Sequence, residues 1–131
     1  MPLTDEPARI LVVDDDAASL DLVTTWLQSH GYSVTEASDG NRAVSLGTEE
    51  KFDLVILDVH VPTYDGIEIL RFLRKRYVHR PVKVIALTGD STESVRTQLT
   101  RYGIDSYMTK PVELKALLDE VQRLLDQASA S

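Results

Sequence analysis

Three carboxylates in a row, Asp14, Asp15 and Asp16, follow the branched apolar run Ile10-Leu11-Val12-Val13. Asp58 closes a second apolar run, "DLVILD" over 53–58. Thr88 closes a third, "VKVIALT" over 82–88, and Lys110 ends "DSYMTK", with Pro111 next. Like charges a few Å apart repel, and burial strengthens the repulsion. Such acids are either solvated or share a cation. Mg²⁺ suits them: it takes one or two carboxylates, keeps waters and completes its shell with phosphate oxygens. With Lys110 beside it, a divalent ion offsets three carboxylates. A carboxylate left free can attack phosphorus and form an acyl phosphate. Such a transfer needs mainly positioning and charge neutralisation. The Thr88 hydroxyl can donate to a phosphoryl oxygen.

These residues need a frame that brings them together. Residues 9–14 read as a first strand. Leu20, Val23 and Leu27 recur at helical spacing over 17–30, and Gly31 stops that helix. "YSVTEA" is a short strand, and a weaker helix starts near Asn41. Residues 53–58 are apolar without alternation, as in a strand covered on both faces. Ile67, Leu70, Phe72 and Leu73 mark the next helix, and 82–88 is another covered strand. "STESVRTQLTRYG" opens on a cap, Ser91 or Thr92 ahead of Glu93, and ends at Gly103. "DSYMTK" is the last strand. Leu114, Leu117, Leu118, Val121, Leu124 and Leu125 stripe the last helix. Residues 1–8 and 127–131 are expected to be loose tails around one domain over 9–126.

Strand followed by helix, five times over, implies a parallel sheet with helices on both faces and right-handed crossovers. Ligands of such sheets sit outside the carboxyl ends of the strands, where strand order reverses. Asp14, Asp15, Asp58, Thr88 and Lys110 all stand at those ends.

Composition removes other classes. The 131 residues suit one domain with a sizeable core. With no cysteine, disulfides, thiolate metal sites and thiol catalysis are excluded. No apolar run approaches a membrane span, and the first residues lack the pattern of a signal peptide, so a cytoplasmic location without membrane contact is expected. A net charge of −7 argues against direct nucleic-acid binding.

"VVDDD", "LDVHVPTYDG", "ALTG" and "YMTKP" are similar, in order and spacing, to the signatures of bacterial response-regulator receiver domains. Each motif alone is weak; together they are specific, and the resemblance covers about residues 9–125. It implies an α/β, doubly wound, flavodoxin-like fold: a five-stranded parallel sheet in the order 2-1-3-4-5 with five helices. By the same resemblance Asp58 is the phosphoacceptor. Asp15 and Asp58 would hold Mg²⁺ directly, with Mn²⁺ an alternative ion, Asp14 would help through water, and the His60 backbone carbonyl would add a ligand. Lys110 would contact the phosphoryl group. Thr88 and Tyr107 would form the switch pair, and a cis peptide would precede Pro111. The resemblance further implies a signalling domain, not an enzyme. Its phosphoryl donor would be a histidine kinase or histidine phosphotransfer protein. Its downstream protein effector, or a second copy forming a homodimer, would use the face of helix four, strand five and helix five. The chain would be a stand-alone regulator or a receiver cut from a hybrid kinase or longer regulator.

Two positions depart from the family pattern. Thr63 stands where a glycine is usual, and His60 where the family often has Met or another non-titrating side chain. We expect His60 to tune phosphoryl lifetime and its pH response, which an unchanged decay profile in a His60→Met variant would contradict. Several residues have plainer readings. Asp16 suits a helix N-cap better than a metal ligand. "TGDSTES" resembles a phosphate-cradling loop but follows the fourth strand, so a helix cap is preferred. "RFLRKRYVHRP" is expected to be a solvated helix end whose cations complement the helix dipole. Trp26 is expected to pack partly on the sheet, and no histidine spacing suggests zinc. Two rivals remain: an interaction module that keeps the fold without phosphorylation, and a haloacid-dehalogenase-like phosphatase. The latter wants an Asp two residues beyond the nucleophile, where this chain has His60.

Overall fold

The computed structural model describes residues 6–59, 66–77, 81–89 and 93–130. Its elements alternate throughout: β1 (Arg9–Val13), α1 (Ala17–Ser29), β2 (Ser33–Ala37), α2 (Gly40–Glu49), β3 (Leu54–Asp58), α3 (Gly66–Arg76), β4 (Lys83–Thr88), α4 (Glu93–Arg101), β5 (Ser106–Thr109) and α5 (Leu114–Ala130). All strands pair in parallel in the order β2-β1-β3-β4-β5. The strand order reverses between β1 and β3, where the crevice of a doubly wound sheet forms.

The unbroken apolar runs follow from burial on both faces. Alternate residues point to opposite sides. Leu11, Val13, Val55, Leu57, Val84 and Ala86 meet Leu46, Leu70, Leu73 and Leu99 from α2, α3 and α4. Ile10, Val12, Leu54, Ile56, Ile85 and Leu87 meet Leu27, Leu117, Val121 and Leu124 from α1 and α5. Each fully buried Leu or Ile contributes about 1.5–3 kcal/mol relative to exposure.

Local chemistry sets the helix ends. Asp16 is the N-cap of α1, accepting from the Ser19 N–H at 3.3 Å and its hydroxyl at 2.6 Å. Asp39 caps α2 by accepting from the Arg42 N–H at 2.8 Å. Gly31 and Gly103, at φ of 92° and 82°, turn the chain just beyond α1 and α4 with a backbone that other residues rarely adopt.

Some sequence expectations need correction. Helix α5 continues to Ala130, through residues 127–130 assigned to a tail, because its helical run meets no stop signal before the end. Trp26 packs partly on the α1/α5 side of the sheet as expected, and its indole N–H donates to the Leu114 carbonyl at 2.9 Å. It therefore ties α1 to the start of α5. The cations of α3 are not simply solvated. Arg74 donates to the carbonyls of Val82 at 2.5 Å and Gly103 at 2.6 Å and to Asp105 Oδ2 at 2.9 Å. Asp105 also accepts from the Val84 N–H at 2.8 Å, so α3 is tied to the entries of β4 and β5.

Candidate functional site

Four strands deliver the site. Asp14 follows β1 directly, and its N–H donates to the Ala37 carbonyl of β2 at 3.1 Å. Its side chain is buried. Oδ1 accepts from the Asp16 N–H at 3.0 Å, and Oδ2 accepts from Lys110 Nζ at 3.0 Å. Asp58, the last residue of β3, is only 4% exposed, and its Oδ2 accepts from the same Nζ at 2.9 Å. One ammonium thus spans carboxylates from two neighbouring strands. Asp15 is exposed, yet one carboxylate oxygen from each of Asp14, Asp15 and Asp58 lies within 4.8 Å of the others.

Thr88 ends β4 and is fully buried. Its carbonyl accepts from the Lys110 N–H at 2.8 Å, which fixes where the lysine stem leaves β5. The Lys110–Pro111 peptide is cis. At Gly89 a Cβ would meet nothing within 4 Å, so the space over the Thr88–Gly89 backbone is open. Tyr107 lies on β5, half-buried on the α4 side, with the Arg96 guanidinium carbon 5.4 Å from its ring centroid.

The electrostatics follow from this packing. Burial pushes the Asp14 carboxyl above its ordinary value. The Asp16 N–H and the Lys110 ammonium draw it back in part, and the charge of Asp58 pushes it up again. Burial opposes the charge on Lys110. The hydrogen bonds to Asp58 and Asp14 outweigh that and raise its pKa. Among the described residues one ammonium, Lys110, stands against the three carboxylates of Asp14, Asp15 and Asp58, which favours a further cation. Hard oxygen donors at this spacing fit a hard divalent cation such as Mg²⁺, Mn²⁺ or Ca²⁺ and do not suit a soft metal.

The structure therefore brings Asp14, Asp15, Asp58 and Lys110 into one cluster, with Thr88 at the neighbouring strand end. Asp16 stands apart as a helix cap. His60, Thr63 and the cap residues Ser91 and Thr92 lie outside the described residues. One supporting residue escaped the sequence reading. At Gly66 an added Cβ would sit 2.6 Å from Val59 Cα, and the Gly66 N–H donates to the Val59 carbonyl at 2.8 Å. The start of α3 thus touches the backbone just after Asp58. The sequence shows Gly66 in the motif "LDVHVPTYDG", but only the fold shows the contact.

Residues 10–122 match the family described as the response regulator receiver domain. The transcriptional regulatory protein ResD of Bacillus subtilis is 36% identical over 121 residues, covering 92% of this chain and 49% of ResD. The response regulator MprA of Mycolicibacterium vanbaalenii is 40% identical over 119 residues, covering 91% of this chain and 51% of MprA. The chain thus spans about half the length of these curated relatives. Among solved structures, a CheY-like receiver domain protein from Methanospirillum hungatei superposes with a TM-score of 0.88 at 32% identity, covering 95% of this chain and 98% of the other. The receiver domain of the sensor histidine kinase PA1611 from Pseudomonas aeruginosa, solved with a magnesium ion in its active-site cleft, gives 0.83 at 29% identity, covering 92% and 98%. Shared strand order, a match along nearly the whole chain and acids gathered at the sheet's carboxyl edge lead to one assignment: this chain belongs to the receiver domains of two-component response regulators.

Proposed function

We propose that this receiver accepts a phosphoryl group on Asp58 from a phosphohistidine of a histidine kinase or phosphotransfer protein, and that the acyl phosphate switches its output surface. The observation that carries the reading is the Lys110 ammonium shared between the buried carboxylates of Asp14 and Asp58, 3.0 and 2.9 Å away. An Asp58 oxygen forms the new O–P bond while the P–N bond of the donor breaks, and its electron pair stays on the donor histidine nitrogen. Lys110 neutralises charge on the phosphoryl oxygens, and Thr88 offers them a hydroxyl donor. Asp15 and Asp58 would hold Mg²⁺, with Asp14 assisting and the His60 carbonyl as a further ligand. When bound, the ion would withdraw charge from the phosphoryl oxygens and offset the acids.

The added phosphoryl oxygens at Asp58 then bias Thr88 and Tyr107, moving a two-state balance by the few kcal/mol that differential contacts provide. The face of α4, β5 and α5 would present the change to an effector or a second copy. The test is intact-mass analysis after incubation with a small acyl-phosphate donor and Mg²⁺, beside an Asp58→Asn variant. One added phosphoryl group, absent in the variant and without metal, is the expected result. A folded chain that binds neither Mg²⁺ nor phosphoryl would instead be an interaction module.

A further inference from the structure

Helices α2 and α3 form a groove that the acidic site does not use. It encloses about 340 Å³ between Val44 of α2 and Glu68, Arg71, Phe72 and Lys75 of α3. Gly47 lets the helices approach: a Cβ there would lie 3.0 Å from Phe72 Cε2. Val44 and Phe72 are half-buried and give the groove an apolar floor. Arg71 and Lys75, one turn apart and exposed, give it a cationic rim. The Arg71 guanidinium carbon lies 5.3 Å from the Tyr102 ring centroid, so its charge is held in place from the α4 side. A positioned side chain loses less freedom on binding.

The rim runs against the chain's charge. The whole chain carries −7, yet the exposed charged side chains of α3 are Arg71, Lys75 and Arg76 against the single acid Glu68. An acidic partner is repelled by most of this surface and attracted to its cationic faces; α4 also exposes Arg96 and Arg101, but the pocket there is lined by Thr97 and Thr100 rather than apolar side chains, so charge and apolar floor together favour the α2/α3 face. A groove between two helices with an apolar floor suits a third helix that lays an apolar stripe into it. We infer that the α2/α3 groove docks an acidic amphipathic helix of a partner protein, with apolar anchors on Val44 and Phe72 and carboxylates on Arg71 and Lys75. Helix α3 starts beside Val59 at the carboxyl edge of the sheet and runs back, which carries Lys75 away from Asp58. Docking therefore does not require the phosphoryl group.

The test uses the full chain, nitrogen-15 labelled, titrated with a synthetic helical peptide. The peptide carries leucines at helical spacing on one face and glutamates on the flanks. Polyglutamate and a lysine-flanked peptide with the same leucines are the controls. Saturable amide shifts at Val44, Arg71, Phe72 and Lys75 are expected with the acidic peptide alone, and unchanged in Asp58→Asn. The double variant Arg71→Glu with Lys75→Glu should bind at least about tenfold more weakly, the scale of two reversed exposed ion pairs. Val44→Glu should weaken binding to a similar degree, and both variants should keep the dispersed amide spectrum of the parent. No binding, equal shifts with polyglutamate, or shifts centred on α4 and α5 would overturn the inference. Concentration-dependent shifts at the groove without peptide would overturn it in favour of a second copy of the chain.

Discussion

Replacing Lys110 with Met removes a cation that lies between two buried carboxylates while keeping most of the side-chain volume. Its Nζ sits 3.0 Å from Asp14 and 2.9 Å from Asp58, and it is only 26% exposed. Asp14 and Asp58 place carboxylate oxygens within 4.8 Å of each other. At that separation two unit negative charges repel by about 3 kcal/mol at an effective dielectric of about 20. The native variant must bear this repulsion or take up a proton at neutral pH, and both lower its stability. Partial solvation trims the effect, so we expect a loss of about 2 kcal/mol without divalent ions. With the urea dependence usual for a small domain, that lowers the unfolding midpoint by about 1 M. Millimolar Mg²⁺ should recover most of the loss, because an ion that binds only the folded state stabilises it by mass action. The assay is urea unfolding of parent and variant with and without Mg²⁺. Lys115→Met, at an exposed position on α5, serves as the control and should not shift. A Lys110→Met midpoint equal to the parent's, or a loss that Mg²⁺ leaves unchanged, would refute the charge argument.

Three other outcomes are expected. Gly66→Ala forces a Cβ to 2.6 Å from Val59 Cα, so α3 must move off the backbone beside Asp58. That overpacking should cost about 1–3 kcal/mol in thermal unfolding and slow phosphoryl uptake as well. Arg74→Met removes three hydrogen bonds at the amino edge of the sheet and should cost about 1–3 kcal/mol. Phosphoryl uptake, measured by intact mass, should stay normal in that variant because the acidic cluster is at the other edge. Glu120 is held at about 2 by hydrogen bonds from Arg123 and Ser106, well below its ordinary 4.5. Its folded value is depressed, so its contribution is full above pH 4.5 and disappears as pH falls towards 2. Arg123 is half exposed, so that contribution is about 1 kcal/mol, and acid titration of stability should be shallower by that amount in Glu120→Gln.

The apolar runs over 10–13, 54–57 and 84–87 made the sheet legible, because strands covered on both faces admit nothing but apolar side chains. Strand–helix alternation puts every strand's carboxyl end on one edge, so the sequence alone gathers Asp14, Asp58, Thr88 and Lys110 there. Asp16 was readable as a cap because a helix pattern follows it immediately. Contacts between distant elements were not readable. Arg74 looks like one more cation in a basic helix end, and only the packed fold brings the Gly103 carbonyl and Asp105 to it. Ile67, Leu70, Phe72 and Leu73 mark an apolar face of α3 in the sequence, yet Ile69 is also only 1% exposed, because α3 is covered by α2 and α4 across a wider arc than that spacing suggests. Trp26 looked like a sheet contact, and its bond to the Leu114 carbonyl depends on how α1 and α5 lie side by side.

Phosphoryl transfer to one carboxylate among three is tested most directly by assigning the modified residue. The phosphorylated chain would be treated with borohydride, which reduces an aspartyl phosphate to homoserine and releases phosphate, and its peptides then sequenced by mass spectrometry. Homoserine at position 58 alone, dependent on both donor and Mg²⁺, is the predicted result. Homoserine at position 14 or 15, or an unmodified Asp58 in chain that has gained a phosphoryl group, would contradict it.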